Sequence, residues 1–330
     1  MPLLRAPEFW RGPEPSPAAR LLAPLARLYA AAAAARLARP APRAPLPAIV
    51  IGGATAGGDG KTPLALAVSA ILLSLGERPA FLTRGYGGTA RGAPFVVDPA
   101  RHDARRVGDE ALLLARRAPA IVGADRLQAA RLAAQLGASV LVLDDGLHSR
   151  RLAPDLALLA IDADYGVGNG LCLPAGPLRA PLSALAPILD ARILIGSGAP
   201  PLFAPQIPLL RATCVANADD AAALAGVRVL AFSGIARPEK FRRSLAAVGA
   251  AIDRFHAFPD HHAYSERCVA ALAAEARRCG ARLVTTEKDA ARLGDAWMRR
   301  HDCTTLRIDL TFETAQAAAL LEQALAVWRA

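Results

Sequence analysis

The sequence predicts an α/β protein: a doubly wound, mostly parallel sheet of the phosphate-loop type, with a second, smaller α/β domain and an N-terminal amphipathic helix. Short apolar runs rich in β-branched residues alternate with longer helical patterns along most of the chain, as strands and crossover helices do in parallel sheets. A glycine-rich turn joins one such run to a helix, and prolines interrupt the alternation near residue 200. We therefore expect a helix and linker in residues 1–45, a phosphate-loop domain in 46–199 and the smaller domain in 200–330.

The composition favours an anionic partner. The 330 residues include 39 lysines and arginines against 29 acids, which leaves a net charge of +10. Such a charge suits nucleic acid, a phosphate-bearing substrate or a membrane surface. Nucleic acid is the least favoured, because only 5% of the residues are aromatic and no basic–aromatic array is visible. The five cysteines form no C-x-x-C pair, so we expect neither disulfides nor zinc, and a reducing compartment.

The N-terminal segment predicts an amphipathic helix over residues 18–39. Its longest uninterrupted apolar run, residues 28–35, is far shorter than the roughly 20 residues that span a bilayer, and the prolines and arginines before it argue against a signal peptide. Two interpretations stay open: a helix lying in a membrane interface, or one packed on its own domain. Basic and apolar side chains fall on different faces: Arg20 and Arg27, and Leu21, Leu25 and Leu28.

The stretch around residue 60 has the pattern of a phosphate-binding loop. An apolar run, Ile49–Ile51, precedes five glycines and then a helical pattern from Leu64 to Leu75. Glycine lets successive backbone N–H groups point into one concavity, and the helix N-terminus adds its dipole. In such loops the lysine, here Lys61, reaches the β- and γ-phosphates, and the next hydroxyl, here Thr62, holds Mg²⁺. The candidate phosphate-binding residues are Thr55, Ala56, Gly57, Gly58, Asp59, Gly60, Lys61 and Thr62.

Two details bear on this interpretation. Thr55 stands where the strict pattern has glycine, so a glycine-rich turn without a ligand is the alternative. The use of lysine argues for the phosphate loop, because only three of the 39 basic residues are lysines and one of them is Lys61. A compact point charge suits that position better than a planar guanidinium.

Further strands and helices alternate on both sides of residue 200. The predicted strands are 79–83, 120–123, 140–143, 156–161 and 192–195, then 227–232, 251–255, 283–286 and 306–310. The predicted helices are 111–117 and 125–136, then 238–248, 265–279, 289–300 and 314–328. Two acids, Asp144 and Asp145, follow the strand 140–143, and paired carboxylates at a strand end are costly unless a cation is near. They predict a carboxylate that holds Mg²⁺ beside the phosphate loop.

Other polar segments admit a structural or a functional interpretation. Asp109 and Glu110 begin a helix, and the residues alone favour helix capping. The loop Asp260-His261-His262 is of the kind that serves function, and its aspartate can orient a neighbouring imidazole. The turn 285–289 reads as a helix cap with an ion pair. Arg84, at the end of a predicted strand, is either a phosphate contact or a solvated turn residue.

Together these segments resemble the tetraacyldisaccharide 4'-kinases, the lipid A 4'-kinases of Gram-negative bacteria. They occur in the family's order, and Thr55 is what that family carries. In the family, the motif Asp-Asp-Gly-hydrophobic is usually followed by Gln-His. In this sequence the two residues are His148 and Ser149, and this departure argues against a direct role for those two positions. The matching motifs are Thr-Ala-Gly-Gly-Asp-Gly-Lys-Thr-Pro (55–63), Arg-Gly-Tyr-Gly-Gly (84–88), Gly-Asp-Glu (108–110), Asp-Asp-Gly-Leu (144–147), Gly-Asn-Gly (168–170), Leu-Pro-Ala-Gly-Pro-Leu-Arg (173–179), Asp-His (260–261) and Thr-Glu-Lys-Asp (286–289).

The resemblance implies a membrane-surface kinase with two α/β domains and an active site in the cleft between them. Such an enzyme transfers the γ-phosphate of ATP to the 4'-hydroxyl of a tetraacylated glucosamine disaccharide 1-phosphate. Asp109 would be the catalytic base, and His261, from the smaller domain, would orient or tune it. The other site residues are implied in two groups: Thr62, Glu110 and Asp144 for Mg²⁺, and Asp145 and Arg179 near the nucleotide or substrate phosphates.

The expected location follows from the resemblance and from the basic N-terminal helix. It is the cytoplasmic face of the bacterial inner membrane, with peripheral attachment and no transmembrane span. The expected partners are the lipid A precursor and the anionic membrane surface, without nucleic acid. The alternative is a membrane-associated phosphate-loop ATPase that acts as a switch or partitioning protein, which would need no aspartate–histidine pair facing the γ-phosphate. A nucleic-acid binder that is not an enzyme is a second alternative, suggested by charge alone.

Overall fold

A computed structural model describes residues 6–12, 14–199 and 203–329. The first five residues of the predicted N-terminal segment, and the predicted boundary at residue 200, lie outside the described residues. The α-helices are α1 Pro17–Leu37, α2 Lys61–Ser74, α3 Ala104–Val107, α4 Asp109–Ala115, α5 Arg126–Gln135, α6 Leu182–Leu185, α7 Ala218–Leu224, α8 Pro238–Ala247, α9 Glu266–Cys279, α10 Glu287–Leu293, α11 Asp295–Arg300 and α12 Gln316–Arg329. The strands are β1 Ala48–Gly53, β2 Pro79–Thr83, β3 Phe95–Val96, β4 Ala120–Val122, β5 Val140–Leu143, β6 Leu156–Asp162, β7 Ala191–Ile195, β8 Leu209–Ala216, β9 Arg228–Ser233, β10 Ala251–Ala257, β11 Arg282–Thr286, β12 Cys303–Leu306 and β13 Ile308–Phe312.

The large sheet runs in the order β13-β8-β7-β6-β1-β5-β2-β4-β3. From β8 to β4 neighbouring strands pair in parallel, whereas the edge strands β13 and β3 pair antiparallel. Strands β1, β5, β6 and β7 are buried along their whole length, because helices cover both faces, and this is why they read as continuous apolar runs. The predicted doubly wound, mostly parallel sheet is confirmed, and β1 lies at its centre.

The small sheet runs in the order β10-β9-β11-β12 and is parallel throughout. Alternate residues of β9 face opposite sides, as the strand period of two requires. Leu230 and Phe232 pack into the core beneath α9, whereas Val229 and Ala231 pack with Phe241 of α8. The small sheet therefore has helices on both faces, like the large one.

The predicted single strand over residues 306–310 is wrong. Strand β12 ends at Leu306 in the small sheet, and β13 begins at Ile308 in the large sheet. Arg307 turns the chain between them, because its backbone N–H and its Nε each donate to Asp220 at 2.8 Å. Strand β8 was not predicted, since most of its side chains are only partly buried and its apolar pattern is weak.

Strands β8 and β13 carry the chain between the two sheets side by side. They pair antiparallel, with Ala216 opposite Ile308. After β13 the chain stays with the large sheet, because α12 packs against α2 and buries Leu321 and Leu325 in the core that contains Leu64. Helix α12, from the C-terminal part of the chain, thus packs on α2, the helix that follows the glycine loop.

Helix α1 confirms the predicted N-terminal helix. The Ser16 hydroxyl accepts from the third residue of the helix at 3.2 Å, and proline occupies the first helical position, which is a favourable start. One face is buried and carries Ala19, Ala26, Ala33 and Leu37. A different face presents Leu21, Leu25 and Leu28, which are 82, 57 and 70% exposed. Within the described ranges, none of the helices is both long and apolar enough to cross a membrane.

Candidate active site

The glycine loop between β1 and α2 contains three positions whose backbone conformation favours glycine. Gly57, Gly58 and Gly60 have φ angles of 101°, 75° and 85°, which residues with a side chain rarely adopt. Asp59 is 1% exposed and closes the loop on itself, because its carboxylate accepts from the Thr55 backbone N–H at 2.7 Å and from the Thr55 hydroxyl. The loop has the strand–loop–helix form that the sequence predicts.

Asp144 lies directly after β5 and keeps one carboxylate oxygen unpaired. Its Oδ2 accepts from the Thr62 hydroxyl at 3.0 Å, whereas its Oδ1 is buried without a hydrogen-bond partner. Burial raises the pKa of Asp144 to about 7, and the negative charges of Glu110 and Asp145 add to the rise. Carboxylate and hydroxyl oxygens are the donors that Mg²⁺ prefers, so Thr62, Glu110 and Asp144 fit the ion that the sequence predicts.

Glu110 is paired with a lysine from the small-sheet side. Lys288 Nζ lies 2.7 Å from Glu110 Oε1, and its charge lowers the pKa of Glu110 in spite of burial. In the part of the chain that the structure describes, no three His, Cys, Asp or Glu side chains form a ready-made metal site. Mg²⁺ commonly takes one or two carboxylates, while substrate phosphates and water complete its shell. Two carboxylates are therefore enough for an ion that arrives with a nucleotide.

Asp109, at the start of α4, meets His261 from the loop after β10. Asp109 Oδ2 lies 3.2 Å from His261 Nδ1, and Arg292 of α10 donates to the same oxygen from Nε at 2.8 Å and from a terminal nitrogen. Burial opposes the Asp109 charge, but His261, Arg292 and Lys288 together hold the pKa of Asp109 well below its usual range. Burial also opposes a charge on His261, yet the hydrogen bond and charge of Asp109 raise the pKa of His261. The structure thus joins the two residues that the resemblance pairs.

The backbone around this pair is strained. Gly108 has φ 87° and ψ 150°, a conformation that is essentially restricted to glycine. A Cβ there would lie 2.4 Å from the Tyr86 backbone oxygen. His261 has φ 54°, and its backbone N–H donates to Asp260 Oδ1 at 3.0 Å. Unusual backbone conformations of this kind concentrate at functional sites, and here they lie next to and within the Asp109–His261 pair.

The loop 174–179 lies along the glycine loop. Two backbone hydrogen bonds, of 2.8 and 3.1 Å, join the two loops. The Arg179 guanidinium pairs with Asp145; burial opposes the Asp145 charge, but Lys61 and Arg179 lower the pKa of Asp145 to about 2. Of the two adjacent acids, Asp145 is therefore held by Arg179, whereas Asp144 keeps the unpaired oxygen.

His148 and Ser149 support the turn that follows β5. His148 Nε2 lies 2.7 Å from the Gly53 carbonyl oxygen. Burial and the Arg179 charge lower the pKa of His148 to about 4, so the neutral ring donates to this carbonyl. The Ser149 hydroxyl donates to the Gly146 carbonyl at 2.8 Å. His148 thus joins the turn after β5 to the last residue of β1, and Ser149 stabilises the turn itself.

Two cations that the sequence reasoning missed, Lys288 and Arg292, lie on α10. They are four residues apart and so share one helix face, which contacts the first turn of α4. The cap predicted at 285–289 is present, because the Thr286 hydroxyl accepts from the Asp289 backbone N–H at 3.2 Å. The predicted ion pair exists too, but Lys288 makes it with Glu110, 178 residues away.

The rarity of lysine could have identified these contacts. The chain contains three lysines, and all three belong to this region. Lys61 follows the glycine loop, Lys288 pairs with Glu110, and Lys240 pairs with Asp162 at the end of β6. Lys240 and Lys288 thus each place a compact charge against an acid, a use that suits lysine.

Comparison with known proteins decides the family. A family model described as Tetraacyldisaccharide-1-P 4'-kinase matches residues 18–326. The chain belongs to the tetraacyldisaccharide 4'-kinase family. The matched range includes every site residue described above, so the resemblance found in the motifs is confirmed.

The chain is similar to proteins named tetraacyldisaccharide 4'-kinase from several bacteria. One from Methylobacterium sp. (strain 4-46) is 54% identical over 296 residues, which cover 88% of this chain and 89% of that protein. One from Nitrobacter winogradskyi is 48% identical over 296 residues, covering 88% and 87%. The fold matches the crystal structure of the apo form of LpxK from Aquifex aeolicus in complex with ATP, with a TM-score of 0.73 and 24% identity over 93% of this chain and 99% of that one.

Proposed function

We propose that this member of the tetraacyldisaccharide 4'-kinase family transfers the γ-phosphate of ATP to the 4'-hydroxyl of a tetraacylated glucosamine disaccharide 1-phosphate, in lipid A biosynthesis. The observation that carries the proposal is the 3.2 Å contact between Asp109, at the start of α4, and His261, from the loop after β10 of the small sheet. Glu110, next to Asp109, is close enough to Lys61 for that charge to lower its pKa. The names of the similar proteins support the acceptor. An ATPase switch would share the loop but would have no use for this pair.

Asp109 acts as the base and His261 orients it. As the 4'-oxygen attacks the γ-phosphorus and the bond to ADP breaks, the hydroxyl proton passes to the Asp109 carboxylate, which must lie within hydrogen-bond reach. The low pKa of Asp109 keeps it ionised but makes it a weak base. Its larger contribution is to place the hydroxyl in line with the γ-phosphate, since phosphoryl transfer depends mainly on positioning and charge stabilisation.

The glycine loop holds the triphosphate. Its backbone N–H groups and the α2 N-terminus receive the phosphates, and Lys61 reaches the β- and γ-oxygens. Arg179 adds a second cation, which Asp145 keeps in place. Thr62, Glu110 and Asp144 would hold Mg²⁺, which when bound neutralises charge on the β- and γ-phosphates.

The chain works as two α/β domains on either side of this site. The boundary expected at residue 200 would assign β8, β13 and α12 to the smaller domain, whereas their hydrogen bonds and packing join them to the large sheet. We therefore assign these three elements to the phosphate-loop domain and the small sheet with α8–α11 to the second domain. Approach of the two domains excludes water, which would otherwise compete with the sugar hydroxyl for the γ-phosphate.

Helix α1 attaches the enzyme to a membrane surface. Its alanine face is packed on the protein, which leaves the leucine face free to enter the interface between headgroups and acyl chains. The net charge of +10 favours an anionic leaflet. The acylated acceptor lies in such a surface, so we place the enzyme at the cytoplasmic face of the inner membrane.

The proposal is tested by following radiolabelled γ-phosphate from ATP into the disaccharide lipid and into free phosphate. We expect Asp109→Asn to lower kcat for lipid labelling by about 10²- to 10⁴-fold, the usual contribution of a general base. Asp295→Asn is the matched control, because it removes an exposed acid paired with Arg116 and should leave labelling unchanged. Equal ATP hydrolysis with and without the lipid, and no labelled lipid, would support the switch alternative instead.

A further inference from the structure

A second cluster of charges joins the two sheets at the glycine loop. Asp162, the last residue of β6, and Asp59, within the loop, both have fully buried side chains. The cations that face them come from the start of α8, on the small-sheet side. Arg237 and Lys240 both pair with Asp162, and an Arg237 terminal nitrogen lies 3.6 Å from Asp59 Oδ1.

The Arg237 guanidinium contacts two acids, a backbone carbonyl and an aromatic ring. Besides the two acids, it donates to the Gly57 carbonyl at 3.3 Å, and its Cζ lies 4.1 Å from the centre of the Tyr165 ring. Gly58 leaves room for it, because a Cβ at that residue would lie 2.8 Å from Arg237 Nε. A planar guanidinium can serve several acceptors at once, and here two of those acceptors, Gly57 and Asp59, belong to the glycine loop.

These contacts link the position of the small sheet to the shape of the loop. Buried carboxylates need a counter-charge. Separating α8 from β6 would take Arg237 and Lys240 away from Asp162, and would leave Asp59 with the charge of Lys61 alone. Burial raises the pKa of Asp59; the charge of Lys61 opposes this rise most, and the hydrogen bonds from Thr55 and the charge of Arg237 oppose it less. Asp59 in turn binds the Thr55 backbone N–H at the start of the loop. Movement of Arg237 therefore changes the support of the segment from Thr55 to Gly58.

We propose that Arg237 is a positioning residue that holds the glycine loop in its phosphate-binding shape when the two domains meet. The proposal rests on the use of ATP by this loop, and not on the identity of the acceptor. ATP affinity then depends on a residue of the domain that supplies His261. Nucleotide binding and the approach of His261 to Asp109 are thereby coupled through the Arg237 side chain.

The test measures the affinity of the full-length protein for a non-hydrolysable ATP analogue with Mg²⁺, by calorimetry and without lipid. We expect Arg237→Gln to weaken binding by about tenfold or more, the scale of a lost charged hydrogen bond. In turnover assays KM for ATP should rise by a similar factor, and kcat at saturating ATP should fall less. Lys240 still pairs with Asp162 in this variant, so the fold should persist.

Arg243→Gln is the matched control. Arg243 lies on the same helix and pairs with Asp164 at 2.7 Å, but that pair is exposed. The substitution removes the same charge and should leave ATP affinity unchanged. Asp59→Asn supplies the partner variant: combined with Arg237→Gln, it should weaken binding by less than the product of the two single effects, because both changes break one contact.

The outcomes separate this inference from the proposed function. If the wild-type protein binds no ATP analogue, the proposed function fails; if it binds and Arg237→Gln binds equally well, only the present inference is overturned. If Arg237→Gln does not fold, Arg237→Lys takes its place in the test. A lysine keeps one charge for Asp162, but it cannot also reach Asp59 and Gly57 as the planar guanidinium does. A folded Arg237→Lys protein with wild-type ATP affinity overturns the inference, and one with weakened affinity supports it.

Discussion

Gly108 determines where the carboxylate of Asp109 lies. Its φ of 87° and ψ of 150° turn the chain between α3 and α4, and the absence of a side chain lets Tyr86 O approach. Any other residue at this position would have to move the backbone that carries the base. The backbone at Gly108 thus sets the position of the Asp109 carboxylate, and His261, Arg292 and Lys288 then stabilise its charge.

Gly108→Ala should therefore destabilise the protein and disable it. We expect the free energy of unfolding to fall by about 3 kcal/mol or more, because a strained conformation and a backbone overlap act together. Gly280→Ala is the control: Gly280 has φ 59° and ψ 32° in open space, so only the left-handed conformation costs energy, about 1–2 kcal/mol. Denaturant unfolding gives both values. Phosphate transfer per folded molecule should fall only in Gly108→Ala, and equal losses in the two variants would contradict this account.

At the level of single residues, the sequence alone identified the groups but not their partners. Asp109 was interpreted from its residues as a helix cap, and its Oδ1 does accept from the Glu110 backbone N–H at 2.9 Å. Its other oxygen binds His261 and Arg292, which lie 152 and 183 residues away. No local pattern can show such contacts; the family resemblance indicated His261, and Arg292 emerged only from the structure.

At the level of elements, strands buried on both faces were predicted well. The apolar runs that became β1, β5 and β6 need little context, because every side chain in them is buried. Strands β8 and β13 pair at one end of the sheet, with half-exposed side chains. The sequence pattern does not reveal β8, and it merges the first residues of β13 with β12 in one strand. The sequence predicts that helix α1 is amphipathic, but it does not decide between a helix in a membrane interface and one packed on its own domain.

The exposed leucine face of α1 supports a prediction about membrane attachment. Replacing Leu21, Leu25 and Leu28 together by glutamine keeps helix propensity but removes the apolar face. We expect binding to anionic phospholipid vesicles, measured by co-sedimentation, to weaken by at least about a hundredfold, since burial of each leucine contributes roughly 1.5–3 kcal/mol. Leu73→Gln is the control, because Leu73 is also exposed, at 50%, but lies on α2 rather than on α1. Unchanged sedimentation of the triple variant would show that α1 does not attach the protein.

At the scale of the whole molecule, α12 completes the core on one face of the large sheet. Helix α12 packs its buried residues against α2, the helix that follows the glycine loop. Arg329, near the end of α12, also pairs with Glu77 just after α2. The C-terminal helix is therefore part of the core on which nucleotide binding depends.

Leu321→Ala should lower the free energy of unfolding by about 2–5 kcal/mol, the cost of a large cavity in a packed core. Leu321 is 2% exposed, whereas Val327 on the same helix is 73% exposed, so Val327→Ala should change stability by no more than about 0.5 kcal/mol. Denaturant titration with bound ATP analogue should show both effects. Similar values for the two variants would mean that α12 does not belong to this core.

The antiparallel pairing of β8 and β13 has one more consequence, for where the chain could be shortened. Ala216 and Ile308 stand opposite each other, so a two-residue hairpin turn could join them and excise everything between. The shortened chain would retain all strands of the large sheet, the glycine loop and its acids, and would lose His261, Lys288 and Arg292 in a single deletion. The three side chains that meet Asp109 and Glu110 from the small-sheet side thus all lie in one contiguous stretch of the chain, between β8 and β13.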